Sequence, residues 1–259
     1  MPRFFEVTEI EATEAERFVL RHHYSGRVSA GRWYFGLHDV ASRGDSLVGV
    51  VVCGDGMPAA RRVLPCPLDE STEVLRLVLL EEVAANAESW MVARCFDHLR
   101  AEGVAGVVSF SDPVPRTNLA GERVFKGHVG NVYQALSAVY TGRATGRTHR
   151  LLPDGSVFSP RTMQKIRSRE TGWRYGVEQL VAAGAAPPGE HEDLRAWQRR
   201  ELARVTRPLR HAGNFRYQWP LSRAARRHML KHLQTIGLSV LPYPKLIPAP
   251  PAGAPCPAT

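Results

Sequence analysis

No apolar run in the chain approaches the roughly 20 residues needed to cross a bilayer. The first ten residues, Met1 to Ile10, carry charges in place of the apolar stretch of a secretion signal. Both absences point to a soluble cytoplasmic protein with no membrane partner. Cysteine is scarce. Cys53, Cys66, Cys95 and Cys256 are the four present, and none has C-x-x-C spacing. Cys53 falls in a strand-like run, Cys95 on a helix and Cys256 in a proline-rich tail, so they read as reduced structural thiols and not as a disulfide or zinc framework. No internal repeat occurs.

What is present is ordinary globular material, with 259 residues that are 44% hydrophobic and 23% charged. This is room for one large domain, or one domain with a substantial appendage. The net charge of +9 is unevenly spread. Through Gly142 there are 14 Lys and Arg against 18 Asp and Glu, a net of −4; from Arg143 onward there are 20 against 7, a net of +13. A basic half of this kind suits a polyanion, because each neutralised phosphate releases condensed counterions.

Periodicity predicts the order of elements. Phe4 to Ile10 reads as a strand. A Thr13/Glu16 capping box opens a helix to about His23. Trp33 to His38 and Leu47 to Cys53 form a hairpin, and Glu73 to Leu80 a strand. Asn86 caps a helix that Gly103 stops, with Val92, Cys95, Phe96 and Leu99 on one face. Val104 to Phe110 is a strand buried on both faces, and His128 to Val139 a further helix. The fold class is therefore α/β, a mixed and mostly antiparallel sheet flanked by helices, with one strand–helix–strand crossover from Glu73 to Phe110. Beyond Gly142 come a hairpin turning at Asp154-Gly155, a helix from Pro160 to Val181 broken at Gly172, a linker at Ala185 to Gly189, and a basic helix from Ser222 to about Gly237. Divided by domain, residues 1–184 form the catalytic unit with a basic hairpin–helix appendage, 185–245 a basic extension, and 246–259 a disordered proline-rich tail.

Three polar clusters could carry chemistry. Arg21-His22-His23-Tyr24-Ser25-Gly26-Arg27 lies at a helix end, as an active-site wall or as a basic cap. Ser109-Phe110-Ser111-Asp112-Pro113 closes the most buried strand, where Asp112 could serve as base, as orienter of an imidazole or as metal ligand, or simply make a turn. Lys126-Gly127-His128-Val129-Gly130-Asn131-Val132-Tyr133-Gln134 combines glycines that allow close backbone approach with a Tyr133 hydroxyl able to protonate a leaving thiolate, or a Tyr133 that only packs.

Taken together with Trp33-Tyr34-Phe35-Gly36, Leu75-Arg76-Leu77 and Asn86-Ala87-Glu88-Ser89-Trp90, these clusters resemble the Mom family of phage proteins, from about His22 to Val181. The resemblance implies a GNAT-like fold and addition of a carbamoylmethyl group to adenine N6 of double-stranded DNA. It implies protection from restriction inside a bacterial host cell. His23, Tyr24, Arg76, Ser109, Asp112 and Tyr133 match positions expected to line the family's pocket. Tyr24 and Asp112 would manage protons, His23 and Ser109 orient substrate, and Arg76 stabilise charge. An acyl-CoA or acetyl-CoA donor is implied at the helix start Asn86, Ala87, Glu88 and Ser89, with iron as a further option on His22, His23 and Asp112, or His38 and Asp39. Here the sequence departs from the GNAT pattern. The loop that carries glycines in those enzymes reads Leu80-Glu-Glu-Val-Ala-Ala-Asn-Ala-Glu88, with three acids and no glycine.

The basic half supplies candidate DNA contacts: Arg143, Arg147, Arg161, Lys165, Arg167, Arg169 and Arg174, then Arg223, Arg226 and Arg227 on the last helix. Trp173, Tyr175, Phe215, Tyr217 and Trp219 could stack an extruded base, or Phe215, Tyr217 and Trp219 alternate as one apolar face of a strand, with Arg216 and Gln218 turned outward. The alternatives to a DNA-modifying transferase are a GNAT-like N-acetyltransferase acting on a protein or small molecule, and a non-enzymatic nucleic-acid-binding module.

Overall fold

In the computed structural model, residues 4–23, 30–41, 46–84 and 86–245 are described. The first half runs β1 (Phe5–Glu9), α1 (Ala12–His22), β2 (Trp33–Asp39), β3 (Ser46–Gly54), α2 (Pro58–Arg61), β4 (Ser71–Leu79), α3 (Ala87–Ala101) and β5 (Gly106–Ser111). A ribbon of β6 (Arg116–Thr117) and β7 (Arg123–Phe125) follows, then α4 (Asn131–Ala135), β8 (Val139–Arg143), β9 (Arg147–Leu151) and β10 (Val157–Phe158). The remainder is α5 (Pro160–Ser168), α6 (Trp173–Ala182), α7 (Leu194–Val205), β11 (Arg207–His211), β12 (Phe215–Pro220) and α8 (Arg223–Thr235).

Seven strands form the main sheet in the order β1-β2-β3-β4-β5-β12-β8, and only β4 and β5 are parallel. This is the mixed, mostly antiparallel sheet with flanking helices that the sequence predicts. The α3 residues Met91, Val92, Cys95, Phe96 and Leu99 cover one face of it, and Ala15, Phe18 and Val19 of α1 pack on Val50, Val52 and Val78 of the other. Phe215, Tyr217 and Trp219 join the α3 face, as their alternation predicts. Gln218 is not solvent-facing, however; it is fully buried and donates to the Thr141 hydroxyl at 2.8 Å.

A second sheet, β10-β9-β11, rises from the edge of the first. It is capped by α5, α6 and α7 around Phe158, Ile166, Leu180 and Trp197. Its Asp154-Gly155 turn packs on the ribbon, where Leu119 N–H donates to the Pro153 carbonyl at 2.9 Å. Two short links join the sheets side by side, residues 144–146 after β8 and 212–214 before β12. The Ala144 N–H donates to the Asn214 carbonyl at 2.8 Å between them. Among the described residues no helix is long and apolar enough to cross a membrane.

Several local expectations are corrected. α1 begins at Ala12 behind Glu11, with no side-chain cap, so the Thr13/Glu16 box does not form. Asn86 precedes α3 without a capping side-chain bond; Ser89 Oγ instead donates back to its carbonyl at 3.1 Å. The expected helix from His128 to Val139 is only the single turn of α4. Gly130 (φ 76°) and Ser137 (φ 54°) leave the helical region on either side of it, and the chain then turns into β8. The Ala185–Gly189 linker is followed by α7, which Asp193 caps by accepting from Ala196 N–H at 2.8 Å. Most consequential is β12. It comes from the segment read as an extension, yet it lies between β5 and β8 inside the main sheet, so a boundary at residue 184 divides one hydrogen-bonded sheet. The Ser42–Asp45 turn and the tail from residue 246 lie outside the described residues.

Candidate active site

The parallel partners β4 and β5 pair only from Ser71/Gly106 to Val74/Ser109. Beyond that point they part, and a cleft of about 1340 Å³ opens between the end of the main sheet and the second sheet. Its lining comes from His23 at the end of α1, Glu73 to Leu77 of β4, Phe110 of β5, the stretch Arg123 to Tyr133, and Arg147, His149, His211, Asn214 and Arg216. A β-bulge helps to shape the floor. Val74 lies opposite Cys53 and Arg76 opposite Val52, leaving Leu75 as the extra residue.

Glu73 and Arg76 form the polar floor. Burial pushes the Glu73 carboxyl up to about 6, against the opposing pull of the Met57 N–H, Arg61 and Arg76. The chain passes this carboxylate at Gly56 (φ 52°), where any Cβ would strike it. His23 is pushed down to about 4, first by burial and then by the positive field of Arg76 and by His128. Burial also lowers His128, with Asp112 opposing it and Lys126 reinforcing it. At neutral pH the floor therefore presents an ionised carboxylate beside a guanidinium and two neutral imidazoles.

Asp112 stands behind the opposite wall. Its Oδ1 accepts from Val114 N–H at 2.9 Å and from His211 Nε2 at 2.8 Å, and its Oδ2 lies 3.3 Å from Arg116. Gly213 N–H donates to His211 Nδ1 at 3.0 Å, which assigns the ring proton to Nε2. His149 meets His211 edge to face at 5.0 Å, and its pKa is lowered by burial and then by His211 and Arg147.

Comparison with known proteins adds one decisive result: the model of the Mom protein family matches residues 4–245. The chain belongs to the Mom protein family. No curated protein matches it significantly. Solved structures similar to it include the ribosomal-protein-S18-alanine N-acetyltransferase of Escherichia coli, at 14% identity and TM-score 0.33 over 59% of this chain and 88% of that one. An N-acetyltransferase of Staphylococcus aureus Mu50 is similar at 9% identity and TM-score 0.37, over 84% and 99%. A tandem GNAT protein of the clavulanic acid biosynthesis pathway is similar at 10% identity and TM-score 0.43, again over 84% and 99%.

Of the residues that the Mom resemblance singles out, His23, Arg76 and Tyr133 line the cleft together. Tyr133 is nonetheless mostly packed, its ring 5.4 Å from those of Tyr217 and Trp219. The Asp112 side chain does not line the cleft; it meets the lining residue His211, and its carbonyl accepts from His128 N–H at 2.8 Å. Ser109 does not reach it: fully buried, it donates to the Val74 carbonyl at 3.3 Å across the parallel pair. Tyr24 lies outside the described residues.

The start of α3 is a poor seat for a CoA diphosphate. Ala87 is buried, the Ser89 hydroxyl is engaged, and Glu81 and Glu88 face the cleft beside it. For iron, His22 is exposed with its ring 4.7 Å from Phe18, Asp39 accepts from Ala41 N–H, and the Asp112 oxygens are occupied. Among the described residues no three His, Cys, Asp or Glu side chains converge on one point.

The basic residues divide by position. Arg147 lines the cleft, joined by Arg216 and by Arg123 and Lys126, and neither of the last two stood out as a DNA contact in sequence. Arg143 lies over the Phe215 ring and donates to the Gly213 carbonyl at 3.1 Å. Arg161 pairs with Glu170 at 2.5 Å and Arg174 covers the Trp173 ring, while Lys165, Arg167 and Arg169 lie on and just after α5. Arg223, Arg226 and Arg227 begin α8 at the far end of the sheet, where Leu221 and Ser222 N–H groups donate to the Ala105 carbonyl. Glu73, His149, His211 and Asn214 had no sequence signal, because each stands alone in a segment that reads as ordinary strand or loop.

Proposed function

We propose that this protein is a DNA-modifying transferase that adds a small acyl-derived, carbamoylmethyl-like group to the exocyclic amine of adenine and so shields DNA from restriction. The observation that carries this reading is the cleft itself, in a chain of the Mom family. Its floor holds Glu73 beside Arg76, and Arg123, Lys126 and Arg147 stand along its lining. Cationic side chains suit a phosphate backbone, and a half-buried carboxylate suits a proton transfer. Chemistry at adenine N6 requires the base to leave the stack. At about 1340 Å³ the cleft exceeds a usual ligand pocket and has room for a base and a donor together.

In the step proposed, N6 attacks an electrophilic carbon of a small donor. The N6–C bond forms while the donor's leaving group departs with its electron pair, and an N6 proton passes to the Glu73 carboxylate. A carboxyl near 6 is ionised at neutral pH and is a better base than an unperturbed one. Arg76 stabilises negative charge developing on the donor, and neutral His23 orients the amine by hydrogen bonding. No part of the step is assigned to CoA, because the start of α3 does not fit its diphosphate.

Nucleoside mass spectrometry on DNA from cells expressing the protein tests the reading. A new deoxyadenosine adduct is expected with the wild-type chain and not with Glu73→Gln. Unaltered deoxyadenosine in wild-type cells would overturn it. Acetylation of a protein or metabolite would then remain, or salt-dependent DNA binding without chemistry.

A further inference from the structure

The cleft wall formed by the 212–214 link is held from several sides. Gly213 N–H is taken by His211 Nδ1 at 3.0 Å, and its carbonyl accepts from Arg143 at 3.1 Å. The next carbonyl, of Asn214, accepts from Ala144 N–H at 2.8 Å. Gly213 has φ 101°, and a Cβ there would clash with the Ala144 carbonyl, so the link admits only glycine at that point. His211 is itself fixed by Asp112, whose carboxylate is fixed by Val114 and Arg116.

This bracing ends in one side chain. Two neighbouring polar groups are already engaged: Arg216 donates to the Thr141 hydroxyl at 2.9 Å and carbonyl at 2.8 Å, and His211 uses both ring nitrogens. The Asn214 carboxamide, half-buried and lining the cleft, has no hydrogen bond to any described residue. Asn131 also lines the cleft, but it is exposed at the start of the single-turn α4. A carboxamide offers one acceptor and one donor in a plane, which matches the 6-amino group and adjacent ring nitrogen of adenine.

We propose that Asn214 reads the extruded base, its carboxamide oxygen accepting from the 6-amino group and its nitrogen donating to the adjacent ring nitrogen. Asp112 and His211 act through it as positioning residues and not as proton carriers. The inference rests on the DNA-adenine reading and gives the same cleft a specificity residue. It explains why a carboxylate that resembles a catalytic one has its oxygens occupied: its role is to hold a wall in place.

The test uses the whole chain and two probes, deoxyadenosine 5′-monophosphate and its analogue lacking the 6-amino group, titrated by calorimetry. The wild-type protein is expected to prefer the adenine nucleotide about tenfold, the scale of one good base contact. Asn214→Ala should bind both probes alike, at the affinity the wild type shows for the analogue. Arg147→Ala should weaken both and keep the ratio. His211→Ala should reduce the ratio while leaving analogue binding intact, whereas a merely structural loss would weaken both probes equally. An unchanged ratio in Asn214→Ala, or no preference in the wild type, overturns the inference. The two readings fail separately. Wild-type levels of modified deoxyadenosine with Asn214→Ala would overturn this one alone, and discrimination without any modified deoxyadenosine would overturn only the transferase.

Discussion

The His211 imidazole lies 2.8 Å from the Asp112 carboxylate across 99 residues of sequence, and this contact ties the end of β11 to the end of β5. The second sheet is thereby anchored to the main one at the cleft.

Asp112→Ala should cost about 2–3 kcal/mol of stability, because it strands a buried imidazole N–H and removes a carboxylate paired with Arg116. Urea denaturation measures this. A loss below about 0.5 kcal/mol would mean that the carboxylate braces nothing.

The Glu73 carboxyl, raised to about 6, predicts a pH limb. With Glu73 as base, kcat/KM should rise with pH through about 6 and then level off. Arg76→Ala removes a group that holds this pKa down, so the limb should move to higher pH while the overall rate falls. A raised folded-state pKa also means that ionisation destabilises the fold. Glu73→Gln should therefore melt above the wild type at pH 8 and lose that advantage below about pH 4.5. A limb that stays in place in Arg76→Ala would count against the pairing.

DNA affinity should track the cleft more than the last helix. Each phosphate contact contributes a salt slope of about 0.9, so Arg147→Ala and Lys126→Ala should each flatten log K against log salt by about that amount. Arg223 and Arg227 begin α8 beside the Gly106 end of β5, roughly 17 Å along the strand from Ser111 at a rise of about 3.3 Å per residue. Replacing both with alanine should leave the slope unchanged. Fluorescence anisotropy at three salt concentrations separates the outcomes.

Gly213→Ala should destabilise by about 2 kcal/mol or more, since it adds a strained backbone conformation to a clash with the Ala144 carbonyl. Gly103→Ala, also at positive φ (83°) but with open space around it, should cost less. Thermal melts of the two variants side by side give the comparison.

Much of the fold was legible because its signals are local. The Trp33–Cys53 hairpin, the apolar face of α3, the Asp154-Gly155 turn and the Ser222 cap of α8 each declare themselves within a few residues, and all form. β12 was legible as a strand face but not as part of the main sheet, because its pairing with β5 joins segments over a hundred residues apart and leaves no periodic trace. The site divides in the same way. His23, Arg76 and Tyr133 stand in recognisable clusters, and the cleft brings them together. Glu73, His211 and Asn214 become functional candidates only when the parting of β4 from β5 and the tight Gly213 link bring them to one cavity. Ser109 shows the reverse error, since a strand-end serine can point its hydroxyl at a neighbouring carbonyl as easily as at a ligand.

The position of β12 also bears on how the molecule is made. During synthesis, β5 and β8 leave the ribosome long before the strand that fits between them, so the edge of β5 stays open for roughly a hundred further residues and that of β8 for some seventy. Such edges recruit other chains, and late non-local pairing slows folding. A nascent chain stalled before Phe215 is thus the species most exposed to aggregation, and a chaperone that shields strand edges would raise the yield of active protein more than one that only prevents apolar collapse.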